Sequence, residues 1–111
     1  MKLKIKFLSP EKIRSFFADR LDNAKKLSRN VKIESVSIDS ALFSVYDPET
    51  GKDYYVYYKS SPEPFWSCNC SFFGIKGEYC THILAVHYYL FCEFRKKNPS
   101  LLKFLKKSGN E

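Results

Sequence analysis

Lys2-Leu3-Lys4-Ile5-Lys6-Phe7 alternates strictly between charged and apolar residues, the period-two pattern of a half-buried strand. The period then changes. Ser9-Pro10-Glu11 supplies an N-cap, a proline at the first helical position and an acid in the first turn. Behind it, Ile13, Phe16, Phe17, Leu21, Ala24 and Leu27 fall on one stripe. Lys12, Arg14, Asp19, Arg20, Lys25 and Lys26 occupy the other face. The spacing predicts a single amphipathic helix that ends near Asn30. Alternation returns from Val31 to Ile38, with a slip at Glu34-Ser35 that marks a candidate bulge. Leu42 to Tyr46 reads as a second strand and Asp53 to Lys59 as its return. Asp47-Pro48-Glu49-Thr50-Gly51 is the turn between them. After the stiff loop Ser60-Ser61-Pro62-Glu63-Pro64, Phe65 to Cys70 is the next strand.

A second helix is predicted from Thr81 to about Lys97. Its stripe is Ile83, Leu84, His87, Leu90, Phe91 and Phe94, but Ala85, Val86, Tyr88, Tyr89 and Cys92 carry apolar character around most of the circumference. A helix that is apolar all round is normally buried. The N-terminal helix is one candidate cover for its second face; a partner protein or a second copy of the chain is the other. Asn98-Pro99-Ser100 breaks the helix. Leu101, Leu102, Phe104 and Leu105 then interleave with Lys103, Lys106 and Lys107, giving a short basic amphipathic tail. That tail can fold back on the domain, dock on a partner or lie along DNA phosphates; a membrane-surface role is a further alternative, for which the segment is short. The predicted class is α+β. A small antiparallel β-sheet is joined to an N-terminal helix and a metal-anchored C-terminal helix, with residues 1–97 as one domain and 98–111 as the tail.

At 111 residues with 44% hydrophobic and 17% aromatic content, the chain can build one modest, aromatic-rich core. No apolar run reaches the roughly 18 residues of a membrane span, and no leader sequence is visible, so an intracellular setting is expected. The net charge is +7, and it is unevenly distributed. Residues 1–30 carry +6, residues 31–67 carry −3 and residues 68–111 carry +4. Basic ends around an acidic middle can mark a surface that meets nucleic acid, although lysine also solvates surfaces with no such role.

The chemistry concentrates in Cys68-Asn69-Cys70 and Cys80-Thr81-His82. Three thiols and one imidazole form the Cys₃His set of a closed, tetrahedral zinc site, and soft ligands of this kind favour zinc over magnesium or calcium. In an extended segment Cys68 and Cys70 point to one side. Gly74 and Gly77 let the intervening chain turn back. Cys80 and His82 sit roughly 200° apart if both are helical, so at least one must come from the non-helical lead-in. Cys92 lies ten positions beyond His82, roughly 15 Å along a helix, and cannot join the same ion. His87 falls on the core stripe and reads as a hydrogen-bonded core histidine. Trp66 shares the ligand face of its strand and reads as a wall of the metal site and core, with base stacking as the minor alternative. Tyr54, Val56 and Tyr58 share one face of their strand, and Tyr55 and Tyr57 share the other with Lys59. An exposed tyrosine face could stack on bases.

The run Trp66-x-Cys68-x-Cys70-x-Phe72, followed by Cys80-x-His82-Ile83-x-Ala85-Val86, resembles the SWIM zinc finger, and the likeness extends over roughly residues 20–90 with the finger at about 65–90. The resemblance implies that Cys68, Cys70, Cys80 and His82 ligate one Zn2+, and that the fold is a small sheet followed by a zinc-anchored helix. It also implies DNA or protein binding. Members of the family occur in remodelling ATPases, transposases and small partners of RecA-family recombinase paralogues, and a chain with no motor or nuclease module is most similar to the last. No catalytic constellation is visible: four protein ligands leave no metal position for water, and neither a carboxylate pair nor a Gly-rich phosphate loop is present. The expected function is therefore a non-catalytic binding subunit in DNA recombination or repair. Lys2, Lys4, Lys6, Lys103, Lys106 and Lys107 are the candidate phosphate contacts. A pure protein adaptor, using Tyr88 and Tyr89, is the alternative, and self-association is compatible with either.

Overall fold

The computed structural model describes residues 2–16, 18–70 and 80–107. Phe17, Phe72, Gly74 and Gly77, on which parts of the sequence reading rest, lie outside the described residues, as does the side chain of Lys107. The first strand, β1, is Leu3–Ile5. The single N-terminal helix expected from the periodicity is instead two: α1 over Pro10–Arg14 and α2 over Ala18–Leu27. Ser9 caps α1, its hydroxyl accepting from the Lys12 amide at 3.1 Å. Ser15 ends α1 by donating its own hydroxyl to the Lys12 carbonyl at 2.5 Å. Serine bonding back to an upstream carbonyl competes with helix continuation, and a periodic apolar stripe does not reveal it. A 3₁₀ turn at Ser28–Asn30 then leads into the sheet.

Four antiparallel strands follow in chain order: β2 (Val31–Val36), β3 (Ser40–Asp47), β4 (Lys52–Lys59) and β5 (Phe65–Cys68). The expected slip is a bulge, with the β2–β3 register shifting between Ile33 and Ser35. Glu34 at that bulge accepts from the hydroxyl of Ser44 at 2.6 Å. The β3–β4 turn closes with the Gly51 amide on the Asp47 carbonyl at 2.8 Å. Gly51 has φ +69°, a conformation that glycine adopts without steric cost. On the inner face of the sheet Phe43, Val45, Val56, Tyr58 and Trp66 are all buried.

Helix α3 spans Thr81–Lys96. It lies between the sheet and α2, packing against both, and Ile83, Leu84, Ala85, Val86, His87 and Leu90 are buried. The N-terminal helical segment thus supplies the second cover that an all-round apolar helix requires. Lys97 ends α3 in the left-handed region, and the Asn98 amide reaches back to the Glu93 carbonyl at 3.2 Å, closing a Schellman-type terminus. The tail folds back on the domain. After α4 (Pro99–Leu102), β6 (Leu105–Lys107) pairs in parallel with β1. This two-stranded ribbon is separate from the main sheet; alternation announces β1, but nothing along the chain announces β6 or its pairing. Leu3, Ile5, Leu101 and Leu105 are buried beneath it.

Three long-range hydrogen bonds fasten the segment after β1 to the core. The Lys6 amide donates to the Tyr58 hydroxyl at 3.0 Å, and the Trp66 indole donates to the Lys6 carbonyl at 3.0 Å. The Leu8 amide donates to His87 Nε2 at 3.0 Å. The other ring nitrogen of His87, Nδ1, lies 2.9 Å from the Ile83 carbonyl and must donate to it. Only the neutral Nδ1–H tautomer satisfies both partners, so His87 is a structural core histidine. Burial, opposed by the Ile83 hydrogen bond, lowers its pKa to about 4. The unfolded chain binds that proton near pH 6.5, so this group stabilises the fold fully above pH 6.5. The contribution is lost as pH falls toward 4. The expected loss is ~1 kcal/mol per pH unit in that window, reaching about 3 kcal/mol. Urea titrations from pH 7 to 5, compared between the native chain and His87→Gln, measure it; equal slopes in both would remove His87 as the cause.

Candidate metal centre

Cys68 is the last residue of β5, in register with Val56 on β4. Pairing continues one residue beyond the strand. Asn69 donates its amide to the Tyr55 carbonyl at 3.2 Å, and its side-chain oxygen accepts from the Tyr55 amide at 2.8 Å. Asn69 thereby ties the chain to β4 just past the strand end, and Cys70 follows at a bend with its sulfur in the same cluster as that of Cys68. Cys80 is the N-cap of α3, with extended φ −106° and ψ 173°. The requirement that one ligand come from the helix lead-in is met by Cys80, while His82 sits in the first turn.

The four side chains converge. Their ligand atoms all lie within 4.8 Å of one another. Nδ1 of His82 stands 3.8 Å from Cys68 Sγ and 3.8 Å from Cys80 Sγ. A tetrahedron with Zn–S of about 2.3 Å and Zn–N of about 2.0 Å has edges of roughly 3.5–3.8 Å, so the donor set fits zinc in kind and in spacing. Cys68, Cys70 and Cys80 are buried. The hydrogen bond from Cys68 lowers the pKa of Cys80, against the opposing effect of burial and with help from His82. The same contact, together with burial, raises Cys68. Ligation requires the sulfurs deprotonated, so metal binding here is expected to release protons. Zinc bound here would supply a structural cross-link between β5 and α3.

Two further residues frame the centre. Asp47, at the end of β3, places Oδ2 3.6 Å from Nε2 of His82. The Tyr54 ring stacks on the imidazole with centroids 4.3 Å apart and an interplanar angle of 22°. In the sequence Asp47 is only a turn residue and Tyr54 only a strand residue. Nothing in their spacing links them to a histidine some thirty positions downstream; the hairpin that carries them had to be folded over the site first. Trp66 has the expected role of core wall, packed in tilted geometry between Tyr58 and His87 with ring centroids at 4.6 and 4.5 Å.

The remaining candidate residues fall into two groups. Lys2, Lys4 and Lys6 are exposed along β1 and its flanks, and Lys106 is exposed on β6. The parallel pairing sets Lys4 beside Lys106 and Ile5 beside Lys107. Lys103 is exposed in the turn before β6. Tyr88 and Tyr89 are half-buried on α3, with the Lys25 ammonium 5.7 Å from the Tyr88 ring. Cys92 is remote from the metal ligands and accepts from Arg95 at 3.6 Å. No helix among the described residues is long and apolar enough to cross a membrane.

Fold and site together define a small zinc-binding module, in which a sheet and a helix are joined through a Cys₃His centre for one zinc ion. The SWIM zinc finger family model matches residues 58–91, a stretch that contains all four ligand-type side chains. That stretch is thus similar to a SWIM zinc finger, and the other described elements pack around it. No curated protein and no solved structure matches the chain.

Proposed function

We propose that this domain is a non-catalytic nucleic-acid-binding module of DNA transactions, in which zinc fixes the fold and the β1–β6 ribbon meets phosphates. One observation carries the reading: the strand pairing that sets Lys4 beside Lys106. Both ends of the chain are basic, and this pairing gathers them into one ribbon. Like charges side by side on a ladder repel, and a polyanion relieves that repulsion. Lys2 and Lys6 flank the pair on β1, and Lys103 lies next to the exposed ring of Phe104. Lysine contacts to phosphate carry no sequence information, so binding is expected to be weak, largely sequence-independent and steep in salt. The proposed setting is recombination or repair, beside a RecA-family recombinase paralogue. That choice rests on the likeness of the finger alone, and a pull-down from native extract tests it.

Fluorescence anisotropy with duplex and single-stranded DNA at about 50–200 mM salt tests the phosphate interface. Replacing Lys103, Lys106 and Lys107 with alanine should lower the magnitude of the salt slope by about two to three units, with zinc content unchanged. Folded, zinc-loaded protein that shows no DNA binding at about 50 mM salt would sink the proposal. It would leave the adaptor reading, which expects lost partner binding in Tyr88→Asp or Tyr89→Asp. The packing of α2 over α3 weakens the main argument for an adaptor, because the apolar helix already has its cover.

A further inference from the structure

We infer that Asp47 is a positioning residue of the zinc centre, holding the Nε2–H of His82 so that Nδ1 is the nitrogen offered to the metal. The inference is independent of the nucleic-acid reading and rests on the metal site itself. The ring has two nitrogens, and the structure gives them different surroundings. Nδ1 faces the sulfurs of Cys68 and Cys80 at 3.8 Å each. Nε2 faces a carboxylate oxygen of Asp47 at 3.6 Å. The 3.6 Å separation is an ion-pair distance, slightly longer than a hydrogen bond; because a carboxylate only accepts, closing it to hydrogen-bond length requires the proton on Nε2 and leaves the lone pair on Nδ1. Metal-ligating histidines commonly hand their second N–H to a carboxylate, which fixes the tautomer and strengthens the ligand.

The carboxylate is held in place by its own turn. Asp47 Oδ1 accepts from the Glu49 amide at 3.0 Å, and its backbone carbonyl accepts from Gly51. One oxygen is thus occupied by the turn while the other is aimed at the histidine. Both partners are largely shielded from water, with side-chain exposures of 17% for Asp47 and 12% for His82. The Tyr54 ring stacked on the imidazole restricts the remaining rotation. Both residues belong to the β3–β4 hairpin, outside the residues 58–91 that match the finger. The metal centre of this chain therefore includes a hairpin that the finger motif does not contain.

Asp47→Asn and Asp47→Ser separate the two duties of the residue. Each keeps an oxygen that can accept from the Glu49 amide, and each removes the carboxylate from His82. Zinc affinity is read by competition with a chromophoric chelator, and the His82 tautomer by long-range ¹H–¹⁵N NMR of the zinc-loaded protein. The expected result is a 10- to 100-fold weaker affinity in both variants, with Nε2–H of His82 exchanging faster than in the native chain. Circular dichroism of the zinc-saturated variants establishes that they are folded. Native affinity in both, with only Asp47→Ala impaired, would assign Asp47 to the turn alone and overturn the inference. So would an NMR spectrum of the native protein showing Nδ1 protonated and Nε2 bound to zinc.

Discussion

Cys80→Ser should lose its zinc, and with it the corner where β5 meets α3. The residue is a metal ligand in kind at the N-cap position of α3, where its side chain makes no capping bond; serine is itself a good N-cap, so what is lost is the metal cross-link at the helix start. Structural zinc contributes on the order of 10 kcal/mol to folding, comparable with the whole stability of a domain, ~5–15 kcal/mol. Metal analysis should fall from one zinc per chain to near zero, and near-UV circular dichroism should collapse. Cys68→Ser, Cys70→Ser and His82→Ala should behave alike, because three ligands cannot close a structural site. Cys92→Ser is the control and should retain full zinc, since that sulfur contacts Arg95 rather than the cluster. Full zinc in Cys80→Ser, or zinc loss in Cys92→Ser, would refute the ligand set. Strands β2 to β4 bury Phe43, Val45 and Val56 without metal ligation, so partial sheet structure is expected to survive chelation.

Trp66→Ala should be the most damaging substitution away from the metal. The indole is 2% exposed and touches Phe43, Tyr58 and His87. It also donates to the Lys6 carbonyl. Truncating a buried tryptophan costs about 3–5 kcal/mol through lost burial and the cavity left behind. Here the change also releases the Lys6–Leu8 segment that leads from β1 into the helices. Trp66→Phe keeps most of the packing and orphans only that carbonyl, so a smaller loss of about 1–3 kcal/mol is expected. Trp66 is the chain's one tryptophan, so far-UV circular dichroism in urea with saturating zinc is the suitable probe. Equal stability of Trp66→Ala and the native chain would show that the residue is not part of the core.

Much of this architecture was legible because local patterns and tertiary demands agreed. The alternation through β2 to β5 and the slip at Glu34 both reappear as register. The C-x-C and C-x-H pairs also converge as their chemistry requires. What stayed hidden depends on contacts between segments distant in sequence. The break at Ser15 comes from one hydroxyl choosing a carbonyl, a choice to which the apolar stripe is blind. Asp47 and Tyr54 acquire their roles only once the β3–β4 hairpin lies against α3. The β1–β6 ribbon joins an alternating segment to a short non-alternating one about a hundred residues away, and neither carries a mark of its partner. His87 was readable as a core histidine, but its two backbone partners were not, because the Leu8 amide lies 79 positions away.

That ribbon also sets a clock. Leu3 is synthesised roughly a hundred residues ahead of its register partner Leu105. At roughly 5–20 residues per second, β1 waits on the order of 5–20 s for the strand that will cover it. During that interval Leu3 and Ile5, both fully buried at the end, have no strand beside them. The three lysines that alternate with Leu3 and Ile5 then act as gatekeepers, keeping the nascent segment charged and disfavouring pairing with other chains. Zinc can draw β5 and α3 together before β6 is available. Synthesis order therefore lets metal capture precede ribbon closure, the step that brings the two basic segments together.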